Sequence, residues 1–252
     1  MLINCVAYQD GRKLADIPVD DIDQWLRKPD CFVWVALRDA TDDELRQMQL
    51  EFDLHELAVE DARDGHQRPK IEEYGDTLFV VMKLPEMRNG ELEIGEVAIF
   101  VGPNFVLSVR NGSQQGFLGV RERCEREPDH LRQGAGFVLY ALMDAVVDRY
   151  FPILDSLETD LELIEDQIFE RGAAKSNIQR LYDLKRRASV LRHVVAPLLE
   201  VAGKLHGGRV PAVCARSQEY FRDVHDHLAR INDAIVSAAG ILFWRFRRAG
   251  WL

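Results

Sequence analysis

A chain of 252 residues with 47% hydrophobic side chains is long enough to build one large or two modest packed domains. Its formal net charge of -10 argues against a nucleic-acid-binding protein and favours a cation ligand or a cationic partner. The four cysteines are scattered without a CxxC pair, and the first residues lack a signal-peptide pattern, which together indicate a reducing cytosolic setting.

The first part of the chain alternates short apolar runs with short amphipathic segments. Strands are predicted at residues 2–8, 31–37, 77–84, 93–101 and 105–109. Helices are predicted at residues 21–27, 42–51 and 54–62, the last of them stopped by Asp64-Gly65. Turn signals at Asn89-Gly90 and Pro103-Asn104 separate the last three strands. Residues 1–132 are therefore predicted to form a mixed α/β domain with helices packed on a sheet.

From about Gly136 the pattern changes to long helices, predicted to form a stalk over residues 133–240. Three apolar series step by three and four residues, which is the period of a coiled-coil seam. The first consists of Met143, Val147, Tyr150, Leu154, Leu157, Leu161, Ile164 and Ile168. After a break at Gly172, the second consists of Leu181, Leu184, Ala188, Leu191, Val195, Leu198, Ala202 and Leu205. The third, after Gly207-Gly208 and Pro211, consists of Phe221, Val224, Leu228, Ile231 and Ile235.

Two further features of the stalk follow from its sequence. A helix over residues 137–170 would be roughly 50 Å long, and Pro152 and Pro197 are expected to kink the helices without breaking them. The first helix is acidic and the second basic, so we expect antiparallel pairing, each exposed pair contributing about 0 to 1 kcal/mol. The acidic face is either an ordinary solvated surface or one that concentrates divalent cations.

Four motifs, in the same order, resemble the CorA family of magnesium and cobalt channels. They are LHELAVEDARDGHQRPKIEEYGDTLFVVMK from Leu54, YALMDAVVDRYFPILDSLETDLELIED from Tyr140, LKRRASVLRHVVAPLLEV from Leu184 and YFRDVHDHLARIND from Tyr220. The resemblance covers residues 32 to about 237. It implies an α+β fold, in which a mixed sheet domain with packed helices is followed by a long-helix coiled-coil stalk.

The resemblance also implies a function and a metal site. The chain would be the cytoplasmic ion-sensing and gating domain of a homopentameric divalent-cation channel at the inner membrane, carrying Mg²⁺ and Co²⁺ without ATP. Mg²⁺ would bridge Asp61 of one subunit to Asp223 of the next and hold the closed state, with Glu60 and Asp144 as outer or second-site ligands. Magnesium prefers one or two carboxylates and keeps several waters.

Members of this family carry two membrane helices and a Gly-Met-Asn signature after the stalk, and neither is found here. No run approaches the roughly 20 apolar residues that a bilayer requires, so we expect this chain itself to lack the pore. Residues 241–252 resemble the end of the last membrane helix and its basic tail, as if joined near Ala239 or Gly240. This tail, with its tryptophans and arginines, would either touch a membrane surface or end the chain in disorder.

Several alternatives stay open. Asp61 could simply pair with Arg63, Arg68 or Lys70. A zinc site at His225 and His227 is disfavoured by their spacing, although Asp223 and His227 share a helix face and could bind a softer metal. The sequence carries no enzyme motif, which leaves a metal-dependent hydrolase as a remote alternative. The main rivals are a zinc transporter of the ZntB branch and a coiled-coil scaffold without an ion role.

Overall fold

The computed structural model describes residues 1–167, 174–207 and 210–249. Seven strands form one mixed sheet in the order β2-β1-β3-β7-β6-β5-β4. They are β1 (Leu2–Gln9), β2 (Arg12–Asp16), β3 (Cys31–Arg38), β4 (Lys70–Tyr74), β5 (Thr77–Arg88), β6 (Glu91–Val101) and β7 (Phe105–Asn111). Every neighbouring pair is antiparallel except β3 and β7, which run parallel with Val33 opposite Phe105.

Nine α-helices lie in the described residues. They are α1 (Ile22–Leu26), α2 (Asp42–Phe52), α3 (Glu56–Asp64), α4 (Leu118–Arg126), α5 (Pro128–Leu131), α6 (Ala135–Asp148), α7 (Tyr150–Gln167), α8 (Ala174–His206) and α9 (Gln218–Ala249). The five predicted strands and three predicted short helices are all present. Strands β2 and β4 and helices α4 and α5 were not predicted.

The sheet separates two apolar cores, because alternate side chains of a strand point to opposite faces. Along β5, Leu78, Val80 and Met82 join the core that contains the long helices α6 to α9. Phe79 and Val81 join the other core, which is covered by α2 and α3. The long helices therefore pack directly on the sheet.

The helix predicted over residues 137–170 is interrupted, so the prediction of a kink without a break at Pro152 was wrong. Helix α6 ends at Asp148 and α7 begins at Tyr150, with Arg149 between them. Pro152, the third residue of α7, has no N–H to donate to the carbonyl oxygen of Asp148. In a continuous helix its ring would also clash with that carbonyl. Pro197, by contrast, lies inside the continuous helix α8.

The predicted seams are buried wherever the structure describes them, as at Leu157, Leu191 and Leu228. Ile168 and the break at Gly172 lie outside the described residues. One predicted pair of opposite charge joins Asp160 on α7 to Arg187 on α8. Helix α9 continues through Gly240 to Ala249. None of the helices in residues 1–167, 174–207 and 210–249 has the length and apolar character required to span a bilayer.

Candidate metal site

Asp61 lies on α3, a short helix that packs one face against the sheet and has a polar cap at its start. Ala58, Val59 and Ala62 are buried against the second core. The ring of His55 accepts a hydrogen bond from the backbone N–H of Leu57 at 3.3 Å, which satisfies one free donor at the start of the helix. These contacts fix the face of α3 that carries Asp61.

The carboxylate of Asp61 is already paired within its own chain. Its Oδ2 lies 2.7 Å from Nζ of Lys70, the first residue of β4, and the side chain of Asp61 is 24% exposed. Lys70 also contacts Glu72 at 2.7 Å. Burial alone would lower the pKa of Lys70, but its hydrogen bonds to the two carboxylates raise it. Of the three cations that could pair with Asp61, the structure therefore places Lys70 beside it.

Asp223 on α9 lies beside Asp144 on α6 and His227 one turn further along α9. One ligand atom from each of the three residues lies within 4.8 Å of the others. Within this group, His227 Nε2 lies 3.8 Å from Asp223 Oδ1. Packing of α6 against α9 thus gathers two carboxylates and one imidazole at one place on the stalk.

The three ligand groups differ in their surroundings. Asp144 is buried and accepts a hydrogen bond from Arg123 Nη2 at 2.9 Å, whereas the side chain of Asp223 is 59% exposed. His227 lies edge-on to the ring of Phe151, and its Nδ1 is buried without a partner among the described residues. Asp223 is therefore the carboxylate of this cluster that is open to a ligand from outside the chain.

The charges of the cluster reach two neighbouring side chains. Burial, and then the charge of Asp144, raises the pKa of Asp148. The same two causes raise the pKa of Tyr140 to about 12. A divalent cation bound between Asp144 and Asp223 would cancel the second cause, because its charge would neutralise the two carboxylates.

The donor set fits a divalent cation. Carboxylate oxygens suit Mg²⁺, which keeps most of its waters and so needs few protein ligands. The imidazole adds a nitrogen donor, which Zn²⁺, Co²⁺ and Ni²⁺ use more readily than Mg²⁺ does. Asp223 offers an exposed oxygen, whereas Asp144 and Asp61 would have to share their oxygens with Arg123 and Lys70.

Within one chain, the structure brings together only part of the predicted ligand set. Asp144 and Asp223 meet, and His227 joins them, as its shared face with Asp223 indicated. Asp61 and the exposed Glu60 lie on α3 and are not members of this cluster. Arg123, the partner of Asp144, was missed because α4 carries no apolar periodicity that would have placed it on a helix. His225 lies outside the cluster, with its Nδ1 3.5 Å from Asp226.

Comparison with known protein families identifies the chain. A family model described as CorA-like Mg2+ transporter protein matches residues 30–242. Because this match covers most of the sequence, the chain belongs to that family, which is a family of metal-ion transporters and not a class of enzymes. The cobalt/magnesium transport protein CorA of Thermotoga maritima is 34% identical over 187 residues, or 73% of this chain and 53% of that protein. The chain thus spans about half the length of this relative.

Solved structures show the same fold. The soluble domain of CorA from Methanocaldococcus jannaschii superposes with a TM-score of 0.72 at 18% identity, covering 96% of this chain and 95% of that chain. The ZntB cytoplasmic domain from Vibrio parahaemolyticus gives 0.70 at 12% identity, covering 99% and 96%. The predicted α+β fold with a long-helix stalk is confirmed. Since the two scores are nearly equal, the fold does not separate the two branches.

Proposed function

We propose that this chain is the ion-sensing and gating domain of a CorA-like Mg²⁺ and Co²⁺ transporter at the cytoplasmic face of the inner membrane. The transporter would be a homopentamer whose pore lies outside this chain. The α/β part, residues 1–132, would present Asp61 to a neighbouring subunit. The stalk, residues 133–240, would present Asp223, and magnesium between the two would hold the closed state, with Glu60 and Asp144 as outer ligands.

The observation that carries this proposal is the open carboxylate of Asp223. Its side chain is 59% exposed on a long, rigid helix, so a second subunit can approach it. Asp61 is only 24% exposed, and a bound cation must compete there with Lys70. Partly exposed ion pairs of this kind contribute about 0 to 1 kcal/mol, which a divalent cation can overcome.

The energy available for gating comes from the carboxylates. Without a cation between them, two unit negative charges about 4 Å apart repel by roughly 4 kcal/mol at an effective dielectric constant of about 20. Moving a two-state balance from 1:99 to 99:1 requires about 5.5 kcal/mol. Repulsion repeated around a ring of five subunits exceeds this value before screening by salt and the pairing of Asp61 with Lys70 reduce each contribution.

Light-scattering mass in magnesium and in chelator tests this proposal. We expect a pentamer in magnesium that loosens or dissociates in chelator. We expect magnesium to protect the unaltered chain from proteolysis, and the double variant Asp61→Asn/Asp223→Asn should lose this protection. Asp129→Asn, an exposed substitution away from the cluster, is the matched control and should keep that protection.

Two outcomes would contradict the proposal. Magnesium-dependent protection that survives in the double variant would remove Asp61 and Asp223 from the site. Assembly that is indifferent to chelator would instead favour the coiled-coil scaffold without an ion role. A monomer under both conditions would leave the family and the fold in place but would give the proposed inter-subunit site no support.

His227 favours a second candidate, a zinc-transporting relative of the ZntB branch. Its imidazole lies beside two carboxylates, and such a mixed donor set suits Zn²⁺ better than Mg²⁺. Calorimetric titration of the chain and of His227→Gln with each metal separates the candidates. Zinc binding that is lost in His227→Gln while magnesium sensing is unchanged would favour the zinc branch. Equal metal affinities in both proteins would favour magnesium.

A further inference from the structure

A cleft of about 940 Å³ lies on the molecule apart from the predicted metal ligands. It opens where the end of β5, the loop after β7, the start of α4 and the α6–α7 junction meet. Its polar lining comprises Glu86, Arg88, Gln114, Gln115, Asp148 and Arg149. Its volume falls in the range of about 300 to 1,000 Å³ that is typical of small-molecule sites.

Arg149, the residue between α6 and α7, is the buried cation of this cleft. It is 9% exposed and its guanidinium lies 4.5 Å from the ring centroid of Phe117. Its Nη2 donates to the carbonyl oxygen of Gly116 at 2.9 Å, whereas its Nη1 is buried and has no hydrogen-bond partner among the described residues. Burial lowers the pKa of Arg149 to about 10, so the side chain stays charged at neutral pH.

The nearby carboxylate of Glu86 does not neutralise this cation directly. One oxygen of Glu86 accepts hydrogen bonds from Ser113 Oγ at 2.8 Å and the backbone N–H of Gln115 at 2.6 Å, and the other accepts from Gln114 N at 3.2 Å. Its ion pair is with Arg88, at 3.8 Å. Glu86 therefore holds the loop that forms one wall of the cleft. It does not accept a hydrogen bond from Nη1 of Arg149.

A second buried arginine adds to the positive charge behind the same wall. Arg110 is 7% exposed and donates to the carbonyl oxygen of Ser113. Burial, and then the charge of Arg38, lowers the pKa of Arg110, which is the effect expected of crowded cations. Arg149 and Arg110 are thus two buried guanidinium groups near this wall, and neither forms an ion pair among the described residues at a distance of 4.0 Å or less.

Helix α4 begins at the cleft and directs the positive end of its dipole toward it, whereas at the α6–α7 junction the negative end of α6 meets the positive end of α7. Gly119 and Val120 in the first turn of α4 line the cleft, as do Pro152 and Ile153 in the first turn of α7. Neither helix carries an acidic residue in its first turn, and no side chain caps the start of α4. Helix starts of this kind bind anions, since their first N–H groups lack partners within the helix.

We infer that this cleft binds a phosphate group, held by Arg149 and by the start of α4. Arg149 lines the cleft, its Nη1 has no hydrogen-bond partner among the described residues, and a guanidinium matches phosphate oxygens in geometry and charge. The cleft is larger than one phosphate ion, and its apolar walls at Pro85, Met87 and Val120 can contact the organic part of a phosphate ester. Asp148, which also lines the cleft, opposes the binding of an anion.

Substitutions at Gly119 give a test that does not depend on a buried residue. A Cβ at Gly119 would meet no described atom within 4 Å, so the backbone there accepts a side chain. Either Gly119→Glu or Gly119→Gln should favour helix α4, because glycine is a poor helix former. The two side chains are of similar size and only the glutamate places a negative charge at the proposed phosphate position, so the difference in affinity between the two variants measures the effect of charge.

Calorimetric titration with inorganic phosphate, AMP and adenosine, in the presence of chelator, provides the readout. We expect phosphate, AMP or both to bind, and adenosine not to bind. Arg149→Gln and Gly119→Glu should each weaken binding by roughly 10- to 100-fold, as expected for a lost charge-assisted hydrogen bond. The exposed Arg132→Gln should bind as the unaltered chain does, and Gly119→Gln should bind more tightly than Gly119→Glu.

The ligand class follows from which probe binds more tightly, and the assignment of the cleft follows from whether Gly119→Glu weakens binding. A higher affinity for AMP than for phosphate identifies an organic phosphate as the ligand, and the reverse identifies the free ion; both support the inference. Failure of phosphate and AMP to bind at millimolar concentration would overturn it. Binding that Gly119→Glu leaves unchanged would also overturn it, whether or not Arg149→Gln folds.

Discussion

Replacing Lys83 by methionine should destabilise the folded chain more than removing both members of its ion pair. Lys83 on β5 and Glu96 on β6 face each other across the sheet, with Nζ 2.6 Å from Oε2 and side chains 15% and 6% exposed. The same oxygen of Glu96 accepts the backbone N–H of Gln67 at 3.0 Å. Glu96 therefore links the sheet to the HQRPK loop that follows the helix carrying Asp61.

The size of the effect follows from burial. At an effective dielectric constant of about 20, unit charges about 2.6 Å apart attract by roughly 6 kcal/mol. Taking both ions out of water costs several kcal/mol per ion, so the intact pair is close to neutral overall. Lys83→Met removes the attraction and leaves the carboxylate buried, for an expected loss of about 3 to 5 kcal/mol in the free energy of unfolding.

Urea unfolding followed by near- and far-ultraviolet circular dichroism measures this loss. The double variant Lys83→Met/Glu96→Gln keeps an acceptor for Gln67 and buries no charge, so it should cost less than about 2 kcal/mol. Coincident transitions and equal m-values are needed for the comparison. The reasoning is refuted if the single variant costs under about 1 kcal/mol, or if the double variant costs as much as the single one.

Two further predictions concern packing and thiol reactivity. Gly136→Ala should destabilise the chain by about 1 to 3 kcal/mol, since the added Cβ would lie 2.3 Å from the carbonyl oxygen of Val213. Gly203→Ala, whose Cβ would meet no atom closer than 3.7 Å, should instead raise the melting temperature, and a loss of stability there would contradict the argument. Burial raises the pKa of three thiols to about 12: Cys5, Cys124 and Cys214. These three should resist a thiol-specific reagent at pH 8 until urea unfolds the chain, and rapid labelling in the native state would contradict their burial.

The sequence predicted the elements whose buried side chains form an apolar run or repeat at a regular spacing. Strand β3 reads as a continuous apolar run because both of its faces are covered, and the stalk seams repeat by three and four. Strand β2, in contrast, is mostly exposed at the sheet edge, so its residues show no alternation. Arg149 falls inside a predicted helix because a proline three residues later predicts a kink as readily as a break.

The metal site was predictable only as far as the family motifs reached. Asp144 and Asp223 are 79 positions apart in the sequence, and their contact depends on how α6 packs against α9. Asp61 matches a motif position, but its pair with Lys70 depends on the turn from α3 into β4, which local propensity does not set. The arginine-lined cleft left no sequence signal, since its parts come from four separate segments.

The parallel contact between β3 and β7 has a consequence for how the chain folds. Strands β4 to β7 pair with their neighbours in the sequence, and β3 pairs with β1 across the intervening β2 and α1, so each group closes only short loops. Joining the two groups aligns Val33 with Phe105 and must close a loop of about 70 residues, at a larger cost in chain entropy. Folding rates fall as contacts become less local, so this seam is where the folding transition state of the sheet should be sought.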